Sequence, residues 1–492
     1  MTVPPSLSIP FFFGTLFFFV ISTPFVGWVV SKRRKQNLCG VYALIGLIAS
    51  GIALYGLFSQ VLGGAIVSDQ QLGFEAGFRI DTLGVFMASI FIGLGVAAVI
   101  YSVKYMENDT GTPLFYTLLL AMISGMVGVA FAGDLFTLFV FWELMSIPSY
   151  VLVAFRKNEW EPIEAGFKYL IMSAAGSATL LLGLSMLYGM TGTLNFEALA
   201  TALAGGGSNV WPLIASLFIL SGFGIKAAIV PLHTWLPDAH SAAPTPISAM
   251  LSGVVIETGV YALCRTFLTA FLPLQAQWSL ILAVLSIVTM TLGNITALLQ
   301  KDVKRLLAYS SIGHVGYMLV GLAVGTQLGL TGTFLHVLNH ALMKGTAFLC
   351  AGAIIYRTGT RQLADMEGIG RRMPITATMF AISLFALIGM PPLNGFWSEL
   401  TLFTSTVQAN MAWLGIAIIL NSILSAAYYL QVIRTLIKPT TSETLEKAKE
   451  APILMLLPIC IMVALIILLG IFPNPALSLA QKAAQSLFPV RG

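Results

Sequence analysis

His336, His340 and Lys344 fall at i, i+4 and i+8 in LHVLNHALMKGTAFL. That spacing sets all three on one helical face, over about 12 Å of rise. Imidazole and amine groups at such short steps can pass a proton along. Two histidines four apart also fit a haem or a metal. Haem, however, draws its histidines from facing helices, and a lysine on the same stripe is a poor ligand. His314, in SSIGHVGYM, extends the polar line. Four more ionisable groups stand in equally apolar settings. They are Glu143 in FTLFVFWELMSIPSY, Lys226 in SGFGIKAAIVPLHTWLPDAHSAAPTP, Glu257 in VVIETGVYALCR and Glu399 closing FALIGMPPLNGFWSE. At mid-membrane each such group costs about 2.5–3.5 kcal/mol on insertion scales. A helix–helix ion pair or hydrogen bond explains any one of them. Eight in one chain point to a route for protons.

The elements that must position these groups are membrane-spanning helices. The 492 residues are 57% hydrophobic and 9% charged, whereas a soluble protein carries roughly 25% charged residues. Apolar runs long enough to cross a core of about 30 Å recur along the chain. The ten-residue alternation of a membrane barrel is absent. Hydropathy places spans near 9–30, 39–62, 83–103, 113–132, 135–155, 169–190, 212–231, 247–269, 279–299, 306–326, 330–354, 375–404, 411–433 and 452–472. The first run is too long for a signal sequence and lacks a small-residue cleavage site, so it is kept as a span. By sign and depth, Glu143 and Lys226 make the best pair. A carboxylate within about 4–6 Å keeps a buried lysine charged, and its withdrawal favours the neutral amine.

Lysine and arginine divide unevenly between alternate loops. Nineteen of the 25 fall on one side of the predicted topology, and only Arg79, Lys482 and Arg491 on the other. The positive-inside rule puts the basic side in the cytoplasm and both termini outside. The net charge of +5 is therefore a topology signal rather than a sign of nucleic-acid binding. Cys39, Cys264, Cys350 and Cys460 are scattered and form no C-x-x-C, so iron–sulfur and zinc sites lack ligands. Neither a dinucleotide fingerprint nor a Walker motif occurs. The loops hold no long soluble domain. The stretch 434–451 reads equally as a short surface helix or a solvated linker.

Two spans are broken. In 221–246 the prolines Pro231, Pro237, Pro244 and Pro246 follow Lys226. In 385–399 Gly389, Pro391, Pro392 and Gly395 precede Glu399. Proline removes a helical hydrogen bond, and the freed carbonyls are tolerable only against protein or a watery cavity. PLHTWLPD and PLNGFWSE resemble each other and lie five spans apart, in the seventh and twelfth. An odd offset means that the two units enter from opposite sides. Interrupted helices in two inverted halves point to a transport path.

FWELMSIPSY, GIKAAIVPLHTWLPDAHSAAPTPISAMLSG, QKDVKRLLAYSSIGHVGYM, HVLNHALMKGTAFLCAGAII and GMPPLNGFWSE occur in that order over about 105–405. Together they resemble the antiporter-like membrane subunits of respiratory complex I. The relatives of these subunits include Mrp-type cation/proton antiporters, membrane-bound hydrogenases and archaeal deazaflavin-dependent dehydrogenases. The resemblance implies an all-α integral membrane protein of about fourteen helices, one of the shorter chains of M, N or Mrp-D type. It implies N-terminal helices in 1–112, inverted five-helix repeats in 113–269 (spans 4–8) and 270–436 (spans 9–13), and a C-terminal linker and helix in 437–492. It also implies that Glu143 is an acidic switch and Lys226 its partner, that His336, His340 and Lys344 form a central axis, and that Glu399 lies near the exit. Many members carry lysine where this chain has Glu257, so a cationic carrier becomes an anionic one.

The function expected from the resemblance is proton translocation within a redox-driven complex I-type enzyme. The alternative is a Mrp-type Na⁺/H⁺ antiporter subunit without electron transfer. A scaffold or quinone-site subunit has no use for eight buried ionisable groups, and a b-type haem protein needs facing histidine pairs. The chain itself is expected to hold no cofactor. Flavin and iron–sulfur clusters are expected in peripheral redox partners, and further antiporter-like chains among its membrane partners. The expected route runs from Lys226, gated by Glu143, past Glu257 and the His336–His340–Lys344 face with His314, to Glu399.

Overall fold

The computed structural model describes residues 5–32, 37–62, 66–69, 77–204, 210–439, 445 and 448–488. Helices α1 (Pro5–Lys32) and α2 (Asn37–Val61) lead into an antiparallel ribbon of β1 (Val67–Asp69) and β2 (Phe78–Ile80), in register Val67↔Ile80 and Asp69↔Phe78. The ribbon is a departure from the all-α expectation. Phe78-Arg79-Ile80 alternates apolar and polar side chains, which is a strand pattern. Phe78 stacks on Phe13 at 4.5 Å between ring centroids, while Arg79 reaches out to Glu197.

Helices α3 (Thr82–Tyr105), α4 (Thr112–Phe131), α5 (Leu135–Val153), α6 (Trp160–Thr191), α7 (Phe196–Ala204) and α8 (Trp211–Lys226) follow. After a break come α9 (Trp235–Ala242) and α10 (Thr245–Met250). A π-helical turn, Leu251–Val255, joins α10 to α11 (Ile256–Thr269). Then come α12 (Gln275–Leu298), α13 (Val303–Val324), α14 (Gln327–Thr358) and α15 (Pro374–Leu387). A second break leads to α16 (Asn394–Gln408), α17 (Ala412–Ile437), α18 (Ile453–Ile471) and α19 (Asn474–Gln485). Among the described residues, twelve helical segments are long and apolar enough to cross a membrane. Two shorter apolar helices, α8 and α15, stop at the breaks.

Some boundaries differ from the sequence reading. α6 begins at Trp160 rather than near residue 169, so Lys168 is helical and pairs with Glu164 (2.8 Å) and Asp238 (3.0 Å). The stretch 191–211, read as a connection, contains α7. Of the residues counted for orientation, Arg33, Arg34, Lys35, Lys447 and Arg491 lie outside the described residues, as does most of 440–447.

The core centres on α14, which packs against α3, α10, α13, α15, α16, α18 and α19. Every residue from Thr245 to Leu268 is buried. Outer helices instead present Phe25, Ile52, Tyr55, Ile423 and Ile437 outward, the surface that lipid wets.

The two breaks follow one hydrogen-bond plan. Ala228 N donates to Ile225 O (3.1 Å) and Ile229 N to Gly224 O (2.9 Å). Correspondingly, Gly389 N donates to Ala386 O (3.1 Å) and Met390 N to Phe385 O (3.2 Å). Ala228 and Gly389 take φ of 55° and 80°. The indole of Trp235 donates to Ile225 O (2.7 Å), so this interrupted backbone is satisfied by protein. At Gly389 a Cβ would meet Glu399 Oε2 at 2.6 Å, so glycine serves both the left-handed turn and the close carboxylate.

At the end of the bundle that bears the ribbon, Asp81 caps α3 by accepting from Gly84 N (2.9 Å). It also receives Arg265 in two hydrogen bonds of 2.6 and 2.8 Å. Arg265 Nε reaches Tyr261 Oη (3.1 Å), which donates to Ala130 O (2.7 Å). Burial pushes the Asp81 carboxyl up, but Arg265 beside it outweighs burial and holds it below its usual range. Its contribution to stability is therefore present above the ordinary carboxylate range and is lost as pH falls through the lowered value. Asp81→Ala strands a buried guanidinium, so a loss of about 3–5 kcal/mol is expected. A thermal melt of the purified protein in detergent checks it.

Candidate functional site

Lys226 ends α8 and is 2% exposed. The helix C-terminus favours a cation there. Its Nζ donates to Tyr169 Oη (3.0 Å) and lies 4.9 Å from that ring's centroid and 6.0 Å from that of Trp142. Tyr169 stacks on Trp235 at 3.9 Å and also accepts from Ser149 Oγ (2.9 Å). A phenol suits a titrating lysine, because it accepts from an ammonium and donates to a neutral amine.

Glu143, half-buried on α5, accepts from Ser177 on α6. It acts on Lys226 through space. Among the described residues no ion pair within 4.0 Å joins the two. Ser177 holds the carboxylate and Tyr169 holds the amine. Sign and depth alone could not reveal these two hydroxyls, both contributed by α6.

Glu257 and His340 meet in the interior of the bundle. Both side chains are fully buried, and His340 Nδ1 lies 2.7 Å from Glu257 Oε1. Glu257 lies two residues past the end of the π-helical turn, a feature frequent at functional sites. Two residues further on, Gly259 lets α11 come against Ala227, beside Lys226, where a Cβ would lie 2.7 Å from its backbone nitrogen. The elements that carry Lys226 and Glu257 therefore touch.

The remaining groups form a connected array. His314 Nδ1 shares a hydrogen bond with His336 Nε2 (3.1 Å), and His336 Nδ1 one with Ser398 Oγ (3.0 Å). His314 Nε2 lies 3.2 Å from Tyr429 Oη. Lys344 donates to that same Oη (3.1 Å), to Leu307 O (3.2 Å) and to Ser310 Oγ. The rings of His314 and His340 are 5.1 Å apart. Glu399 accepts from Ser422 Oγ (2.7 Å), which lies 3.4 Å from Tyr317 Oη, and Tyr317 packs beside His314 and His336.

All eight residues singled out in the sequence thus fall into two clusters. Glu143 and Lys226 form one. Glu257, His340, His314, His336, Lys344 and Glu399 form the other. The sequence reading missed Tyr169, Tyr429, Ser310, Ser177 and Ser398, which connect them. A pair of tyrosines in the apolar run SAAYYLQ was the available signal for Tyr429. Among the described residues no group of three or more His, Cys, Asp or Glu could hold a metal ion.

A helical membrane bundle with interrupted helices and two clusters of buried acid, amine and imidazole groups is an antiporter-like ion-translocating membrane chain. Residues 132–425 match the family described as NADH:quinone oxidoreductase/Mrp antiporter, TM. Residues 67–116 match the one described as NADH-Ubiquinone oxidoreductase (complex I), chain 5 N-terminus. The chain belongs to the NADH:quinone oxidoreductase/Mrp antiporter family. It is 35% identical over 473 residues to F(420)H(2) dehydrogenase subunit N of Methanosarcina mazei, covering 94% of this chain and 95% of that one. It is 37% identical over 466 residues to NADH-quinone oxidoreductase subunit N of Trichlorobacter lovleyi, covering 93% and 92%. A chain of the membrane-bound sulfane sulfur reductase, an archaeal respiratory membrane complex, superposes with a TM-score of 0.88 at 27% identity, over 98% of this chain and 97% of that one.

Tyr429→Phe removes the hydroxyl shared by Lys344 and His314 and takes one hydrogen-bond partner from each buried group. The expected loss is about 1–3 kcal/mol of stability. It is read as a lower melting midpoint of the purified complex relative to wild type.

Proposed function

We propose that this chain is the proton-translocating membrane subunit of a redox-driven complex I-type enzyme, and that its buried acid, amine and imidazole groups carry the protons. The observation that bears most weight is the array linking Lys344, Tyr429, His314, His336 and Ser398, with Glu257 on His340 beside it. Long similarity to subunits of two redox enzymes supports the coupling to electron transfer over a free-standing Na⁺/H⁺ antiporter. Flavin and iron–sulfur clusters then belong to partner subunits.

In this reading Lys226 takes a proton from the cytoplasm, with Glu143 setting how firmly the ammonium is held. The proton passes to Glu257 and His340, then along the imidazoles and Lys344, and leaves near Glu399. Tyr169 keeps Lys226 in place in either protonation state. Both termini lie on the outer side.

The reading includes fourteen spans, α8 and α15–α16 among them, and two inverted five-helix units, one from α4 to α11 and one from α12 to α17. Support comes from matched details at one constant sequence offset. Thr-Gly-Thr ends both α6 (191–193) and α14 (358–360). Gly192 and Gly359 are left-handed at φ 71° and 74°, and Thr191 and Thr358 donate to Leu187 O (2.8 Å) and Ile354 O (2.9 Å). The hydrogen bond between Glu143 and Ser177 occupies the slot of that between Ser310 and Lys344 in the other half, with the charge on the opposite partner.

Lys226→Ala is expected to cut proton translocation by the whole complex in liposomes by about tenfold or more, in line with loss of an acid–base group. Unchanged pumping by an intact complex overturns the proposal. Glu257→Gln leaves an amide that cannot titrate, so a smaller loss of pumping is expected in the same assay.

A further inference from the structure

A groove of about 890 Å³ lies between the start of α4, the end of α5 and the start of α6. That volume falls within the range of about 300–1,000 Å³ usual for ligand pockets. It is far more than the roughly 30 Å³ that one water fills. The proton route described above does not use it. Its walls are apolar and come from Leu114 of α4, Tyr150 and Val151 of α5, and Phe167 and Leu170 of α6. Leu114, Val151 and Phe167 also belong to the outward surface that lipid wets. The groove therefore opens onto the bilayer.

Its rim is charged. Asp109 precedes α4, and Arg156, Lys157 and Glu159 join α5 to α6. Arg156 Nε and Nη2 donate to the two oxygens of Asp109 (3.0 and 3.1 Å), so these two charges satisfy each other. Lys157 and Glu159 are exposed, and among the described residues neither side chain forms an ion pair. The rim thus keeps a free cation and a free anion two residues apart. It also stands where the spans end. α5 stops at Val153, and α6 starts at the exposed Trp160. Tryptophan favours the level at which hydrocarbon gives way to headgroups.

We propose that this groove binds a zwitterionic aminophospholipid. The phosphate sits against Lys157, the ammonium against Glu159, and one hydrocarbon chain runs along Val151, Phe167 and Leu170. Cationic pockets between membrane helices hold lipid headgroups, and the acid beside Lys157 selects a headgroup that also carries an ammonium. A purely anionic headgroup meets Lys157 but leaves Glu159 facing a like charge. The bound chain also lies against Tyr150. That ring meets Tyr169 edge-on, with centroids 6.2 Å apart, and Tyr169 holds Lys226. The lipid thus forms an outer wall beside the Glu143 and Lys226 cluster.

The inference stands whether or not the chain moves protons. Its test uses the whole complex in liposomes that hold a trace of phosphatidylethanolamine with a photoreactive diazirine in one chain. Peptides from 108–114 and 150–170 are expected to take the label. Enriching the bilayer in unlabelled phosphatidylethanolamine is expected to displace it, and enriching it in phosphatidylglycerol is not. Val151→Trp fills the trough, and Lys157→Glu repels the phosphate. Each is expected to lower the labelling about fivefold or more, the scale of one basic residue's pull on an anionic headgroup. Both positions are exposed, so the fold tolerates the changes. No label in these peptides, as when a neighbouring subunit fills the groove, overturns the site, and so does wild-type labelling of both variants. Equal displacement by phosphatidylglycerol overturns the choice of headgroup. Should a variant not assemble, displacement in the unaltered complex decides.

Discussion

Hydrocarbon offers no hydrogen bonds, and that constraint shapes this molecule more than any single contact. Every carbonyl freed by a helix break, and every charge within the bundle, has to find its partner in protein or in enclosed water. The breaks after α8 and α15 survive because their peptide groups re-pair in the same local plan and because Trp235 turns its indole onto Ile225 O. Lys226 sits at that point for the same reason, since the end of α8 supplies both a favourable field and an opening in the backbone. Chain geometry and charge placement are thus one solution to one problem.

The same constraint accounts for what could be read in advance. Ionisable residues are so costly in an apolar run that Glu143, Lys226, Glu257, His314, His336, His340, Lys344 and Glu399 announce themselves one by one. Proline clusters betray the breaks, and the four-residue spacing in α14 places three groups on a face. Pairings are another matter. They depend on how α6, α11 and α17 rotate against their neighbours, and a hydropathy profile does not encode rotation. Tyr169 and Ser177 look like ordinary members of an apolar helix, yet they are the immediate partners of Lys226 and Glu143.

Tyrosine and serine hydroxyls are the connecting element throughout. Tyr429 touches both Lys344 and His314, and Ser398 receives His336 and Asn339. A hydroxyl donates and accepts at once, so it stays bonded whichever neighbour holds the proton. An array of this kind keeps its geometry while its protonation changes, which a lattice of fixed ion pairs would not.

The contact between Glu257 and His340 carries a consequence for how the two clusters sense each other. A lysine in the place of Glu257 would be cationic when loaded and neutral when empty. The carboxylate–imidazole pair is instead neutral overall when it holds one proton, on either partner, and anionic when it holds none. Loading it therefore raises no repulsion against an arriving ammonium, and emptying it creates an attraction. At the low permittivity of the bundle interior such a unit change in charge is felt strongly between neighbouring groups. In the proposed route, successive sites are then drawn into step by vacancy, where an all-lysine relay would be pushed into step by occupancy.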